Sequence, residues 1–208
     1  MNLVDLTVTD FSHTMASDAP APGGGSASAL NGAIGAGLIA MVCSLTRGRK
    51  KYAEFEELAA GVQAEAQALE HRFLTIIDTD TEAFNAVSAV FAMPKDTDEQ
   101  KAARKAAMQE ALKLCTKSPF EMMELALQGL KLAEKLPGKF NETSASDLGC
   151  AVLNLRSGMQ GAWLNVCINV GGIRDEDFVK QYREGGKAIL AEALPLADRL
   201  YETILGMM

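Results

Sequence analysis

Carboxylates and amides stand in this chain where the surrounding pattern calls for apolar side chains. Leu58, Val62, Ala66, Leu69, Phe73, Ile76, Ala83, Val87 and Val90 recur every three or four residues, as on one face of a long helix. Asp80 fills the gap in that stripe between Ile76 and Ala83. An unpaired charge is costly to bury, so such a carboxylate is paired, protonated or set in a cleft. In a cleft, burial raises its pKa toward the range where it can both give and take a proton. A structural salt bridge is the competing reading. Asp78, in the same IDTDTEAF run, falls off the stripe and is expected in solvent.

A second set lies between residues 147 and 169. At helical spacing, Asp147, Ala151, Asn154, Gly158, Gly161, Ala162, Asn165 and Asn169 fall close to one line, while the remaining faces are largely Val, Leu, Met, Trp163, Cys and Ile. Small residues leave room and the amides supply donors and acceptors, as on one wall of a polar ligand pocket. Two plainer readings stay open. Ser144 and Asp147 have capping-box spacing, and the Asn and Gly residues suit tight helix contacts. The third feature is the run Pro22, Gly23, Gly24, Gly25, Ser26 at a helix start, where exposed backbone N–H groups suit an anion. It is not the phosphate loop G-x-x-x-x-G-K-[ST]. Arg47, Arg49, Lys50 and Lys51 follow at the far end of that helix. They either attract an anionic ligand or form a solvated basic turn that complements the helix dipole. Lys95 follows Pro94 at a helix break, facing a ligand or solvent.

These residues need helices to position them. The expected elements are a helix over about 3–15, one from PAPGGGS to Thr46, and a long one to about 92. A fourth opens at the Thr97–Gln100 capping box. Ser118–Pro119 reads as another start, since proline suits the first helical position. A helix over about 146–170 ends at Gly171–Gly172, and a last one starts at Asp175 and is bent or split at Pro195. The class is all-α, a bundle of about six to eight helices in a single domain over 1–208. The helix ending at Thr46 has no polar face and is uncharged between Ala19 and Thr46. Such a helix lies at the centre of a bundle or crosses a membrane. Its glycines and Ser26, Ser28 and Asn31 favour the buried Ala/Gly-rich central helix, with no membrane partner. Gly25, Ala29, Ala33 and Gly37, four apart, let another helix approach closely. A second copy most easily completes its burial, so a homodimer is expected.

Composition sets limits. The chain has 208 residues and a formal net charge of −7, which gives no global attraction for nucleic acid. Its four cysteines form no C-x-x-C pair and it has two histidines, so no metal site and no disulfide framework are expected. The segment MNLVDLTVTDF has no signal-peptide pattern, and the cytoplasm is the expected compartment.

Three stretches, APAPGGGSASAL…GAGLIAMVCSLTRGRKKY, DTEAFNAV…MPKDTDEQKAARKAAMQEAL and SDLGCAV…GAWLNVCINVGGIRDEDF, together resemble the cyclodeaminase/cyclohydrolase family. The resemblance spans nearly the whole chain and includes no formiminotransferase portion. It implies an all-helical homodimer with a tetrahydrofolate derivative bound near the subunit interface, no metal, and a separate glutamate formiminotransferase as an expected partner. Its motifs fall on Pro22 through Ser26, Asp80, Lys95, Asp147, Asn165 and Asn169. Asp80 and Asp147 are then the candidates for acid and base, with Lys95, a third catalytic candidate, and the amides of Asn154, Asn165 and Asn169 orienting the pterin or stabilising developing charge. Arg49, Lys50 and Lys51 are candidates for the glutamate tail. NVCINVGGIRDEDF resembles the cyclodeaminase branch more closely, so ammonia release with formation of 5,10-methenyltetrahydrofolate is expected. Hydrolysis of that product to 10-formyltetrahydrofolate is the alternative, and a non-catalytic folate-binding or scaffold dimer is a third reading.

Overall fold

In the computed structural model, which describes residues 2–208, the uncharged segment is α2 (Gly24–Thr46) and the other elements are built around it. They are α1 (Val8–Met15), α3 (Glu56–Phe91), α4 (Asp98–Glu134), α5 (Ala145–Val170) and α6 (Glu176–Leu205), with 3₁₀ turns at Leu3–Asp5, Lys50–Phe55 and Glu142–Ser144. The all-α expectation and its range of helix number hold for the described residues.

α2 packs on α3 and α5, with α4 behind. The close approaches come from missing side chains. A Cβ on Gly32 would stand 2.3 Å from the Phe73 ring of α3, and one on Gly158 of α5 would stand 2.7 Å from the Ser28 carbonyl. α2 is long and apolar enough to cross a membrane, with a mean hydropathy of 1.7. Its surroundings are nevertheless those of a core helix: Ala29, Ala36, Ile39, Val42 and Cys43 are wholly buried. One apolar core runs from α2 through α6 and takes in Phe11 of α1. One side of α2 stays open, with Ile34, Met41 and Leu45 exposed, and α5 exposes Leu153, Leu164 and Ile168.

The expected boundaries need four corrections. The first expected helix is a 3₁₀ turn followed by α1. Asp78 is half-buried rather than fully in solvent, because its carboxylate accepts the Leu3 N–H at 2.6 Å in a partly buried contact. Ser144 does not form a capping box with Asp147; its hydroxyl donates instead to the Asn141 carbonyl at 2.7 Å. Ser118–Pro119 does not start a helix either, since Pro119 lies inside α4. A proline there removes the N–H that would bond the carbonyl four residues back, which is that of Cys115. Asn169 of α5 replaces the missing donor, its Nδ2 lying 2.8 Å from the Cys115 oxygen. Pro195 likewise sits within a continuous α6, but on its exposed side, where water can reach the freed carbonyl. The Thr97–Gln100 capping box forms as expected.

Candidate functional site

α3 and α4 run antiparallel, so Asp80 faces the residue just before the proline. The Ser118 hydroxyl donates to Asp80 Oδ1 at 2.6 Å. The other oxygen lies against the start of α2: a Cβ on Gly25 would stand 2.0 Å from Asp80 Oδ2. Gly25 is therefore needed for close approach, which makes the glycine run and the anomalous carboxylate parts of one arrangement. Ser26 and Thr81 complete the seam, their hydroxyl oxygens 3.4 Å apart. Asn165 of α5 closes it, its Nδ2 donating to the Gly161 carbonyl at 2.9 Å.

These groups surround a cavity of about 140 Å³ lined by residues 20, 21 and 23–26 together with Asp80, Thr81, Phe84 and Asn165. Asp80 is its only charged lining residue. Burial pushes the Asp80 carboxyl above its ordinary value, and the Ser118 hydrogen bond pulls the other way. No salt bridge holds Asp80 among the described residues, which leaves it available for proton transfer. Gly23, the N-cap of α2, caps with no side chain, so the first N–H groups of that helix carry no side-chain cap. Cys115, behind Asp80, is no nucleophile: burial, then the Asp80 charge, pushes its thiol up to about 11. No cluster of three or more His, Cys, Asp and Glu side chains fit to hold a metal occurs among the described residues.

The other expected site residues are distributed differently. Asn169 is close by, one α-helical turn beyond Asn165, but its amide serves Cys115. Pro22 is buried behind the glycines. Asp147 is 18 residues before Asn165 on the same straight element, about 27 Å at 1.5 Å per residue, so it does not share this cavity within one subunit. Asn154 lies between them and donates to Cys150 at 2.8 Å. Arg49, Lys50 and Lys51 lie beyond the opposite end of α2, about 34 Å from its glycine start. There Lys51 pairs with Glu142 at 3.1 Å and Arg47 with Glu56 at 2.9 Å. Lys95 sits past the end of α3, in a separate groove. Ser118, Thr81 and Phe84 were not among the expected site residues. Phe84 could have been, since it follows Asp80 by one helical turn on the same face.

The formiminotransferase-cyclodeaminase family model matches residues 7–187. The chain belongs to that family. A methenyltetrahydrofolate cyclohydrolase of Methylorubrum extorquens is 42% identical over 95% of both chains. The formimidoyltransferase-cyclodeaminase of Rattus norvegicus is 30% identical over 92% of this chain, which spans 36% of that longer protein. The crystal structure of a formiminotetrahydrofolate cyclodeaminase from Thermotoga maritima superposes with a TM-score of 0.86, at 25% identity and with 98% of each chain covered. As a member of the formiminotransferase-cyclodeaminase family the protein is an enzyme of the cyclodeaminase/cyclohydrolase group, and its fold matches that of a solved cyclodeaminase over nearly its whole length.

Proposed function

We propose that the protein is a methenyltetrahydrofolate cyclohydrolase, with Asp80 as its acid–base group. The observation that carries the choice is the relative of that activity, 42% identical over 95% of both chains. It favours hydrolysis over the ammonia release expected from NVCINVGGIRDEDF. The site is compatible with it. The methenyl carbon lies between N5 and N10 in a cationic amidinium, and a lone carboxylate in an otherwise uncharged cavity suits that charge. Asp80 takes a proton from water as its oxygen bonds to the methenyl carbon, and a tetrahedral intermediate forms. The carbon–N5 bond then breaks, its electron pair stays on N5, and N5 takes a proton from the Asp80 carboxylic acid. The remaining hydroxyl loses its proton to solvent, leaving the formyl group on N10. A pKa raised by burial suits a group that must accept and then return a proton.

The Thermotoga maritima structure supports a second reading, cyclodeamination, in which the same cavity holds the tetrahedral carbon formed when N10 attacks a formimino group. One absorbance assay separates them. Accelerated loss of the near-ultraviolet band of methenyltetrahydrofolate supports the hydrolase, whereas its growth from 5-formiminotetrahydrofolate supports the deaminase. No change with either substrate defeats both and leaves a binding or scaffold role.

The open apolar face of α2 and α5 supports a homodimer. An antiparallel copy on that face is the arrangement that could bring the partner's end of α5 carrying Asp147 toward the Asn165 end of this one. Cytoplasmic location belongs to the same proposal, whereas a separate formiminotransferase belongs to the second, cyclodeaminase reading.

A further inference from the structure

Asn169 does not line the Asp80 cavity, yet its hydrogen bond ends close to one that does the work there. Its Nδ2 donates to the Cys115 carbonyl at 2.8 Å, and the Ser118 hydroxyl, three residues on, donates to Asp80 Oδ1 at 2.6 Å. Pro119 links the two. Its ring withholds the N–H owed to Cys115, crowds that carbonyl and restricts the backbone of Ser118 before it. Cys115 and Pro119 are buried and Asn169 is half-buried, so water is a poor substitute for the amide.

The aim of Ser118 is not what its place in α4 dictates. A serine or threonine inside a helix readily bonds the carbonyl four residues back. Thr116, two residues earlier, does so, donating to Leu112 at 2.8 Å, and so do Thr81 on α3 and Ser28 on α2. Ser118 crosses to α3 instead. By holding Oδ1 it sets the plane of the carboxyl group, with Oδ2 against Gly25. Nor is Asn169 needed simply to keep α4 on the end of α5. Gln109 does that about 9 Å earlier along α4 at 1.5 Å per residue. Its Nε2 donates to the Gly172 carbonyl at 2.9 Å and its Oε1 accepts the Arg174 N–H at 2.7 Å. Lys113 adds an ion pair with Asp175 at 2.8 Å. What Asn169 adds is a donor at the break itself.

We propose that Pro119 and Asn169 are positioning residues for the reaction: the proline releases Ser118 from the carbonyls of its own helix, and the amide pins the opened turn, so that the Ser118 hydroxyl stays aimed at Asp80. The assignment rests on Asp80 as the acid–base group of the proposed hydrolase. It gives Asn169 a task in the chemistry although it neither lines the cavity nor bonds Asp80. The other groups around Asp80 leave Ser118 in control of it. α2 brings no charge, α5 brings the neutral Asn165, and α3 itself brings Thr81 and Phe84. Asp78 of α3 is turned to the Leu3 N–H, and α4 brings the Cys115 thiol, which burial keeps protonated.

The test follows kcat and KM for methenyltetrahydrofolate hydrolysis against pH, and titrates the Asp80 carboxyl directly by NMR of labelled aspartate, its signal being the one missing from Asp80→Asn. Asn169→Ala should lower kcat about tenfold and leave KM within about twofold. It should also move the rate limb and the titration of Asp80 to higher pH, about half as far as Ser118→Ala does or further. The deciding variant adds Pro119→Ala, which returns a backbone donor to Cys115. Stability should recover, but kcat and the titration should stay displaced, because Ser118 then sits in an ordinary turn with the Leu114 carbonyl to bond. Pro119→Ala alone should show the same displaced titration, which keeps the test alive if Asn169→Ala does not fold. Gln109→Ala, which loses a bond between the same two segments, should lower stability and leave the titration as in the wild type. An unmoved titration in Asn169→Ala, its return to the wild-type position in the double variant, or a displaced one in Gln109→Ala overturns the proposal and makes Asn169 a stabilising contact only. Titrations displaced as expected in a protein that turns over no methenyltetrahydrofolate defeat the hydrolase and uphold the positioning role. Wild-type turnover with unmoved titrations does the reverse.

Discussion

Gly25→Ala tests the contact on which the site depends. The new methyl group would stand 2.0 Å from Asp80 Oδ2, 2.9 Å from its Cγ and 3.3 Å from its Oδ1. To reach an ordinary 3.4 Å contact the nearest carboxylate oxygen, Oδ2, must retreat by about 1.4 Å, which turns the carboxyl group and disturbs the hydrogen bond that Oδ1 accepts from Ser118. Overpacking of this kind costs about 1–3 kcal/mol, set against a helix-propensity gain of less than about 1 kcal/mol in a first turn. A net loss of about 1–2 kcal/mol is expected in urea denaturation, with an unchanged slope. Turnover should fall about 100-fold, the usual effect of moving a reacting group by an ångström. In an Asp80→Ala background the oxygen is gone and the same substitution should be neutral or slightly stabilising. The coupling energy between the two changes is then about 2 kcal/mol. Equal destabilisation in both backgrounds would show that Gly25 is not there to admit Asp80.

Four further outcomes follow from the same geometry. Asp80→Asn should cut turnover at least tenfold, by about 1.4 kcal/mol or more in barrier. Because burial raises the pKa of Asp80, the folded chain holds the proton more tightly than the unfolded one, so stability falls as pH rises from 3.8 through the raised value; the Asn variant lacks that fall and should melt higher than the wild type near neutral pH. Ser118→Ala removes the hydrogen bond that lowers the Asp80 pKa, so the limb of the pH–rate profile that reports Asp80 should move to higher pH, and Ser118→Thr should restore it. Asn169→Ala should cost about 1–3 kcal/mol in denaturation by orphaning the Cys115 carbonyl, and adding Pro119→Ala, which returns the backbone donor, should recover much of it. Leu164→Glu with Ile168→Glu should halve the mass measured by light scattering if the α2–α5 face joins two copies.

The helical class, the central helix and Asp80 were all legible because each is a local signal: periodicity, absence of charge, and a break in a stripe. Legibility failed where the deciding contact is distant in sequence. Ser118–Pro119 has the spelling of a helix start, and only Asn169, 54 residues from Cys115, makes it a tolerable interior. Asn169 was visible as a polar residue on a greasy helix, but not the carbonyl that needed it. Asp147 shows a different limit. A helical wheel keeps the angle of a residue and discards its height, so a line of residues along α5 looked like one wall although it stretches over about 33 Å from Asp147 to Asn169.

The lack of charge in α2 has a consequence before the chain is folded. A newly made chain carries Gly24–Thr46 as 23 residues with nothing ionic to keep them apart from their like. Until α3 and α5 close over it, this segment is the part of the protein most prone to stick to other chains. Refolding yield should therefore drop as protein concentration rises, and a charge placed at Ile34 should relieve that drop while spoiling the surface available to a second copy.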